Sequence, residues 1–281
     1  MVCCEGGVTQ RPKYAVLGSP VAHSLSPAMH NAWFKESGIL GSYQAITVPD
    51  LASSSLRSLM THHGLHGVNL TVPLKTEACD QVDVLDATAM DAGAVNTAVI
   101  REGILYGFNT DGAGFYRGLT QEVGPLQEEA KVIILGAGGA ARGIISALVR
   151  EGVRRFCILN RTESVARELA QQFSSRTDMD VGLLNAEAFE RYGNKADLVI
   201  HTTSGDGACV VATLPTDHLS PRATWVDINY WMDHPPKMQE WVQRDGRFVT
   251  GHSMLVWQAA LAFEIFTGFL PNPSPFLDHL R

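Results

Sequence analysis

The chain alternates short apolar runs with amphipathic stretches, which predict strands and helices respectively. In the first part of the chain, the predicted strands are Tyr14–Gly18, Tyr43–Val48, Gly67–Val72 and Val95–Ile100, and the predicted helices are Ser26–Ser37, Pro49–His62 and Ala78–Val84. In the second part, the predicted strands are Lys131–Leu135, Arg155–Asn160, Val181–Leu184, Asp197–Thr202 and Thr224–Ile228, and the predicted helices are Gly139–Arg150 and Ser164–Phe173. This alternation is typical of βαβ units and parallel sheets.

The order of these elements predicts an α/β protein with two domains, which also suits a chain of 281 residues. We expect the boundary near Gly112–Gly114, where a helix connects the two series of elements. The predicted domains are residues 1–112 and residues 113–251, the second of them doubly wound. A last predicted helix, Ser253–Thr267, returns to the first domain, so residues 252–281 are assigned to it as well.

Composition excludes several classes of protein. Hydrophobic residues make up 45% of the chain and charged residues 18%, which is unlike a disordered chain or a coiled coil. The net charge of −7 argues against a nucleic-acid partner. Five cysteines without a C-x-x-C pair are typical of free thiols in a reducing compartment. No apolar run reaches the ~18–20 residues of a membrane span, and the first residues do not resemble a signal peptide. We therefore expect a globular, cytoplasmic protein without a membrane partner.

A glycine-rich turn follows the predicted strand Lys131–Leu135 and reads G-x-G-x-x-A, with a predicted helix after it. The first glycine of this motif permits a tight turn, and the second lets the backbone approach a pyrophosphate. The helix N-terminus adds N–H groups and a partial positive charge. Strand, turn and helix occur in the required order, so a bound dinucleotide is favoured over a βα turn without a ligand. The residues expected to hold it here are Gly136, Ala137, Gly138, Gly139 and Ala140.

The end of the next strand distinguishes NADP from NAD. An NAD site usually carries Asp or Glu about 20 residues after the glycine turn, where it binds the ribose hydroxyls. Here the strand ends in Asn160-Arg161-Thr162, 24 positions after Gly136. The guanidinium of Arg161 suits a 2′-phosphate, and Asn160 and Thr162 offer neutral hydrogen bonds. An ordinary solvated arginine is the alternative, but the pattern favours NADP as the cofactor.

Four polar clusters lie at predicted strand ends or helix starts of the first domain, where α/β sheets place ligands. They read GSPVAHSLSPAMHN (18–31), NLTVPLK (69–75), GAVNT (93–97) and NTDGAGF (109–115). With the glycine turn and the Asn-Arg-Thr segment, these clusters resemble the shikimate dehydrogenase family, which includes shikimate and quinate dehydrogenases. The resemblance runs from about Tyr14 to Gly268. It implies an N-terminal α/β substrate domain and a doubly wound, Rossmann-type NADP-binding domain.

The resemblance also implies roles for single residues. Ser24 and Ser26 are implied to bind the substrate carboxylate, and Thr71, Asn96 and Gln258 to bind its ring hydroxyls. Local explanations stay open for two of them. Ser26 followed by proline is a favourable start for any helix, whereas capping does not account for Ser24. Gln258 lies in a strongly apolar helix, where an unpaired amide is costly, so it binds either a ligand or the backbone.

The family assigns Lys75 and Asp111 to a catalytic pair. Alone, a lysine after a proline-containing loop is usually a solvated charge, and an aspartate before glycine is usually a turn residue. Reduction of 3-dehydroshikimate to shikimate places a hydride on carbon and leaves an oxygen that must be protonated. A lysine ammonium is the acid that this direction needs, and the neutral amine is the base for oxidation. The implied function is this reversible, NADP-dependent reaction of aromatic amino-acid biosynthesis.

The chain departs from the family pattern near the expected nicotinamide and substrate cleft. The departures are His201 in place of asparagine, Met232 in place of proline and Ser253 in place of glycine. In the same segments, Thr202 and Met254 are expected to contact the cofactor, and Tyr230 the substrate.

These departures keep two alternative functions open. One is a dehydrogenase of quinate or another hydroxylated cyclohexane carboxylate. The other is a catalytically weak, NADP-binding regulator, against which the presence of both Lys75 and Asp111 argues. The expected partner is a small-molecule substrate, and the expected state is a monomer or a homodimer. No metal is expected, because the histidines at 62, 63 and 66 lack the other ligands of a metal site.

Overall fold

The structure, a computed structural model, describes residues 11–230 and 235–279, and within them it contains two six-stranded sheets. The strands of the first sheet are β1 (Lys13–Gly18), β2 (Ser42–Thr47), β3 (Leu65–Leu70), β4 (Val84–Leu85), β5 (Thr97–Arg101) and β6 (Ile104–Phe108). Its helices are α1 (Ser26–Ser37), α2 (Leu56–His63), α3 (Leu74–Glu77) and α4 (Ala87–Ala92), with a 3₁₀ turn over Ala78–Gln81.

The second part of the chain begins with α5 (Asp111–Val123), which connects the two sheets. The strands that follow are β7 (Lys131–Leu135), β8 (Arg155–Asn160), β9 (Asp178–Leu183), β10 (Leu198–His201), β11 (Thr224–Asp227) and β12 (Arg247–Thr250). The helices are α6 (Gly139–Arg150), α7 (Glu163–Phe173), α8 (Ala186–Gly193), α9 (Asp206–Ala212), α10 (Pro236–Val242), α11 (His252–Thr267) and α12 (Ser274–His279).

The first sheet has the order β2-β1-β3-β5-β6-β4 and is mixed. Strands β1, β2 and β3 pair in parallel as expected, whereas β5 is antiparallel to both β3 and β6. The antiparallel pairing of β5 with β6 follows from the two-residue turn Glu102-Gly103, in which both residues have a positive φ, 51° and 81°. A turn of this kind folds the chain directly back on itself, while parallel pairing needs a longer crossover. The expectation of a purely parallel sheet is therefore wrong for this half.

The second sheet has the order β12-β11-β10-β7-β8-β9, with every pair parallel. This is the doubly wound arrangement, and it confirms the predicted α/β fold class. The strand order reverses between β7 and its neighbour β10, so the loops after these two strands diverge to opposite sides of the sheet. The crevice at their carboxyl ends is where such sheets bind ligands.

Two helices of the first half differ from their predicted bounds. The helix predicted over Pro49–His62 starts only at Leu56, because Asp50 accepts hydrogen bonds from backbone N–H groups in the loop and Ser55 caps the helix. The helix predicted over Ala78–Val84 is a short 3₁₀ turn, after which Val84–Leu85 pairs with β6. In both places, local hydrogen bonding ends a helix that periodicity alone extends.

Helix α11 returns to the first half and packs against α1 and α5. Its apolar residues Val256 and Phe263 join a buried cluster with Trp33 of α1. The predicted boundary at the start of α5 falls between the two sheets, and it stays a prediction. No helix within the described residues combines the length and the apolar character needed to cross a membrane.

His30 is a buried, uncharged member of the same cluster. Its ring is 0% exposed and stacks on Tyr43 with 4.1 Å between ring centroids. Among the described residues, neither ring nitrogen has a hydrogen-bond partner. Burial lowers the pKa of His30 from 6.5 to about 3, because a charged imidazole has no compensating partner there.

We expect His30 to make the fold sensitive to acid. Below pH 6.5 His30 becomes protonated in the unfolded chain, whereas in the folded protein it stays neutral down to about pH 3. The free energy of unfolding therefore decreases as the pH falls between these two values. Between pH 7 and pH 5, this group alone lowers the free energy of unfolding by about 2 kcal/mol. Denaturant titrations at both pH values should show that His30→Leu removes this loss, while the exposed His62→Leu keeps it. Equal pH dependence in the two variants contradicts the prediction.

Candidate active site

Lys75 and Asp111 form an ion pair, with 2.6 Å between Lys75 Nζ and Asp111 Oδ2. Lys75 lies in the short helix α3, directly after the loop that leaves β3, and Asp111 is the first residue of α5. The two side chains are 17% and 6% exposed, respectively. A pair this sheltered from water is not the solvated lysine and turn aspartate of the local alternative. The structure thus brings together the two residues predicted to be catalytic.

Asn96 holds the other oxygen of Asp111. Its Nδ2 donates to Asp111 Oδ1 at 2.7 Å and to Thr110 Oγ1 at 2.9 Å, while its Oδ1 accepts from the Thr110 backbone N–H at 2.8 Å. Asn96 is only 1% exposed. In this structure it orients Asp111, and its contact with a substrate hydroxyl stays a prediction.

A chain of buried hydrogen bonds extends this support across the first sheet, and the sequence analysis did not detect it. Tyr43 donates its hydroxyl to Asn69 Oδ1 at 2.6 Å, and Asn69 Nδ2 donates to Thr97 Oγ1 at 2.9 Å. Thr97 Oγ1 in turn donates to Asn96 Oδ1 at 2.9 Å. Burial raises the pKa of Tyr43 well above its usual value, so the phenol remains a donor. Side chains from β2, β3 and β5 therefore fix the geometry of the ion pair.

The glycine turn lies between β7 and α6, at the crevice of the second sheet. Gly136 has a φ of 116°, a conformation that side chains rarely adopt. A Cβ there would lie 2.5 Å from Thr202 Oγ1 and 2.9 Å from Thr203 Cγ2. Thr202 itself donates its hydroxyl to the carbonyl of Leu135 at 2.9 Å. Gly136 is thus required by the turn and by the loop after β10, as predicted for the first glycine of the motif.

Gly138 has a different reason to be glycine. Its φ of −81° and ψ of −172° suit any residue, and a Cβ there would meet nothing within 4 Å. Packing within the described part of the chain therefore does not require a glycine here, whereas a ligand bound against the start of α6 would. The open space and the free N–H groups of α6 fit a dinucleotide pyrophosphate. Ala137 and Ala140 complete the turn and the first residues of α6.

The same turn contacts the lysine. A Cβ on Gly139 would lie 3.6 Å from both Cβ and Cδ of Lys75. The mouth of the predicted cofactor site therefore adjoins the predicted proton donor, although the two come from different sheets.

The Asn160–Thr162 segment leaves β8 at the same edge of the sheet. Asn160 Nδ2 donates to the carbonyl of Thr162 at 2.9 Å, which stabilises the turn into α7. The Arg161 side chain is 70% exposed and lies 3.6 Å from Asp206 Oδ2, which is itself 95% exposed. The strand end has no carboxylate at Asn160, as the sequence predicts, but the fold brings Asp206 to Arg161 from the distant start of α9. This weak surface pair leaves Arg161 accessible to a phosphate.

Ser24, Ser26 and Thr71 surround the loops that leave β1 and β3. Helix α1 begins at Ser26, and its N-cap is Leu25 rather than Ser26. Ser24 Oγ accepts the Ser26 backbone N–H at 3.3 Å. Ser26, which its position before a proline predicts as the N-cap, is instead the first residue of the helix, so that expectation is wrong. Ser24 has a local role after all, because its hydroxyl accepts this backbone hydrogen bond. Thr71 is half-buried, and its methyl group packs against Gly18.

Helix α11 carries Gln258, Met254 and the departure at Ser253. Gln258 Nε2 donates to the Leu255 carbonyl at 2.9 Å, so the backbone satisfies part of this half-buried amide. Met254 is 9% exposed and belongs to the core of the second half. The Ser253 side chain packs against Gly118 of α5, where a Cβ would lie 2.9 Å from it. The glycine on α5 therefore accommodates the serine.

The remaining predicted residues lie near the end of β11. Tyr230 is half-buried, with its ring centroid 6.5 Å from that of His252, and burial raises its pKa. His201 is 4% exposed at the end of β10. Met232, the third departure, lies outside the described residues.

A dinucleotide-binding turn on one sheet thus adjoins a sheltered ammonium–carboxylate pair on the other. With the doubly wound sheet, this arrangement is that of an α/β oxidoreductase that uses a dinucleotide cofactor. Three family descriptions match the chain: "Shikimate dehydrogenase substrate binding domain" at residues 16–98, "Shikimate / quinate 5-dehydrogenase" at residues 119–241 and "Shikimate 5'-dehydrogenase C-terminal domain" at residues 251–281. The chain belongs to the shikimate dehydrogenase family, which confirms the resemblance.

Relatives with known names agree with this assignment. The shikimate dehydrogenase (NADP(+)) of Alkalilimnicola ehrlichii is 38% identical over 96% of this chain and 98% of its own length. Shikimate 5-dehydrogenase from Thermus thermophilus, solved in complex with NADP(H) and shikimate, has a TM-score of 0.80 at 35% identity, covering 96% of this chain and 98% of that chain. Quinate dehydrogenase from Corynebacterium glutamicum, solved with NAD, has a TM-score of 0.81 at 25% identity, covering 95% and 97%.

The two glycines of the turn give opposite expectations on substitution. Gly138→Ala should leave the thermal unfolding midpoint unchanged, because its Cβ meets no protein atom, yet weaken NADPH binding about tenfold or more. Gly136→Ala should lower the midpoint by several degrees, because it combines a positive φ with a clash against Thr202. Thermal melts and NADPH fluorescence titrations measure both. Wild-type NADPH affinity in folded Gly138→Ala contradicts the assignment of this space to the cofactor.

Proposed function

We propose that this chain catalyses the NADP-dependent, reversible reduction of 3-dehydroshikimate to shikimate. The observation that carries the proposal is the position of Lys75. Its ammonium lies 2.6 Å from Asp111, and its stem adjoins the glycine turn at Gly139. Together with membership of the shikimate dehydrogenase family, this position gives the lysine an acid–base role beside the nicotinamide cofactor.

The residues of the chain account for the proton transfer. When bound, NADPH supplies the hydride to the substrate carbonyl carbon. Lys75 Nζ donates a proton to the carbonyl oxygen, and the reverse reaction returns that proton to the amine. Asp111 is an acceptor, so it holds the ammonium in one orientation while Asn96 keeps the carboxylate from rotating. The low exposure of the pair strengthens its electrostatic effect on the developing oxyanion.

The other site residues keep their predicted roles as part of this proposal. Ser24 and Ser26 bind the substrate carboxylate from the start of α1, where the partial positive charge of the helix assists them. Thr71, Asn96 and Gln258 bind the ring hydroxyls. Tyr230 contacts the substrate. The cofactor is held by the glycine turn, Asn160–Thr162, Thr202 and Met254.

A spectrophotometric assay at 340 nm with shikimate and NADP tests the function directly. The same assay with quinate, and with NAD in place of NADP, distinguishes the quinate dehydrogenase alternative. A kcat/KM that is higher for quinate than for shikimate would refute the proposed substrate.

The compartment and the oligomeric state remain part of the proposal. A reducing compartment such as the cytoplasm suits the free thiols of Cys79, Cys157 and Cys209. We expect a monomer or a homodimer, which sedimentation analysis measures.

Replacement of the lysine should abolish most turnover. Lys75→Ala removes both the proton donor and the charge that stabilises the oxyanion, so kcat should fall at least ~10²-fold. Asp111→Asn should also lower kcat, because the amide no longer balances the ammonium charge. The exposed Lys195→Ala serves as the matched control and should retain wild-type kcat. Near-normal turnover in folded Lys75→Ala would remove the lysine from the mechanism.

Arg161 should determine the preference for NADP over NAD. Arg161→Leu is expected to raise the KM for NADP about tenfold or more and to leave the KM for NAD unchanged, because only NADP carries the 2′-phosphate. Asp206→Asn should lower the KM for NADP, since it removes the anion that competes for the guanidinium. Arg167→Leu, at another exposed arginine paired with a carboxylate, is the control. An equal rise for both cofactors in Arg161→Leu contradicts recognition of the 2′-phosphate.

A further inference from the structure

The carboxyl ends of β10 and β11 carry a buried polar cluster that the proposed reaction does not use. The parallel register of these strands places His201 directly beside Asp227. His201 Nδ1 lies 2.8 Å from Asp227 Oδ2, and His201 Nε2 lies 2.8 Å from Thr203 Oγ1. His201 is 4% exposed and Asp227 is 2% exposed. The imidazole therefore connects Asp227, at the end of β11, to Thr203, in the loop that follows β10.

The carboxylate of Asp227 is fully occupied. Its Oδ1 accepts the backbone N–H of Asn229 at 3.0 Å and the Asn229 amide at 2.8 Å, and its Oδ2 faces His201. Because an ionised carboxylate only accepts hydrogen bonds, His201 Nδ1 carries the proton of the shared bond. Nε2 is thereby directed at Thr203. The hydrogen bond to Asp227 fixes the orientation of the imidazole, as carboxylates do for the histidines that bind metal ions.

Thr203 is held on three sides. Its hydroxyl contacts His201, and its carbonyl accepts a hydrogen bond from Asn229 Nδ2 at 3.0 Å. Its Cβ lies against Gly207, where an added Cβ would be only 2.8 Å away. Beyond it, Thr202 Oγ1 and Thr203 Cγ2 occupy the space that a Cβ on Gly136 would need, at 2.5 and 2.9 Å from where that Cβ would lie. The cluster therefore ends at the surface that shapes the cofactor turn.

We propose that His201 is a positioning residue for the dinucleotide site. Held by Asp227, it fixes Thr203, and through Thr203 it fixes the Thr202–Thr203 wall that confines the glycine turn. The inference rests on the proposed NADP-dependent function and extends it to a residue at which the family pattern has asparagine. A ring with nitrogens on both sides satisfies the carboxylate and the threonine hydroxyl at once. Without His201, the Thr202–Thr203 wall becomes more mobile and no longer holds the glycine turn in its binding conformation. Cofactor binding then weakens, while the Lys75–Asp111 pair is unaffected.

The test is a set of three variants whose dissociation constants for NADPH are measured by fluorescence titration. His201→Leu removes both hydrogen bonds, and Thr203→Val removes only the hydroxyl while keeping the shape of the side chain. We expect both to weaken NADPH binding by about tenfold, the value of one lost hydrogen bond to a buried partner. His201→Gln, which offers a donor and an acceptor on one planar group, should restore at least half of the lost affinity on a logarithmic scale. The exposed Thr213→Val is the matched control and should bind as wild type.

Steady-state kinetics separate positioning from a purely structural role. A positioning role raises the KM for NADP in Thr203→Val and leaves the KM for shikimate within about twofold, whereas simple destabilisation lowers the thermal midpoint and leaves both constants of the folded enzyme unchanged. The double variant His201→Leu/Thr203→Val should bind NADPH no more weakly than the single variants, because both substitutions remove the same hydrogen bond between His201 and Thr203. If His201→Leu does not fold, Thr203→Val decides alone. Wild-type NADPH affinity in folded Thr203→Val overturns the proposal. Failure of the wild-type protein itself to bind NADPH refutes the proposed function instead.

Discussion

The contact between the Lys75 ammonium and the Asp111 carboxylate is the interaction on which the proposed function depends. Charges this sheltered are stable only when each is matched, and here every oxygen of the carboxylate has a donor. Because Asp111 begins the helix that passes from one sheet to the other, the pair has a fixed relation to both. In the proposed reaction, the glycine turn at Gly139 binds the hydride carrier next to Lys75, which donates the proton.

The two ends of the site meet opposite physical demands. The end that carries Lys75 and Asp111 is largely buried, and polar side chains from three strands satisfy one another around it. The cofactor end is open, with bare backbone N–H groups and room beside Gly138. The first is built from hydrogen bonds within the protein and the second from the lack of side chains. The two ends meet where Gly139 of the turn lies beside the Lys75 side chain, although they belong to different sheets.

The sequence predicts the fold well where structure is local and less well where it depends on distant partners. The strands of the second sheet and the glycine turn follow from apolar runs and a motif whose mechanism is known. The hairpin of β5 and β6 was missed, although the Glu102-Gly103 turn between them is a usable signal. Lys75, Asp111 and Asn96 were found through resemblance. Tyr43 and Asn69 were not, because their contact arises only when strands far apart in the chain come into register.

Helix α5 is lined by glycines where it contacts its neighbours. Gly112 faces the backbone of α6, while Gly114 and Gly118 face Gln258 and Ser253 of α11. Because α5 has no side chain at these three positions, its axis approaches those of α6 and α11 closely. A methyl group added at any of these glycines would lie less than 3.0 Å from atoms of the neighbouring helix, so α5, which begins at Asp111, or its neighbour would have to shift. In such an enzyme, substitution of a glycine that takes no part in the chemistry can therefore abolish activity as effectively as substitution of a reactive residue.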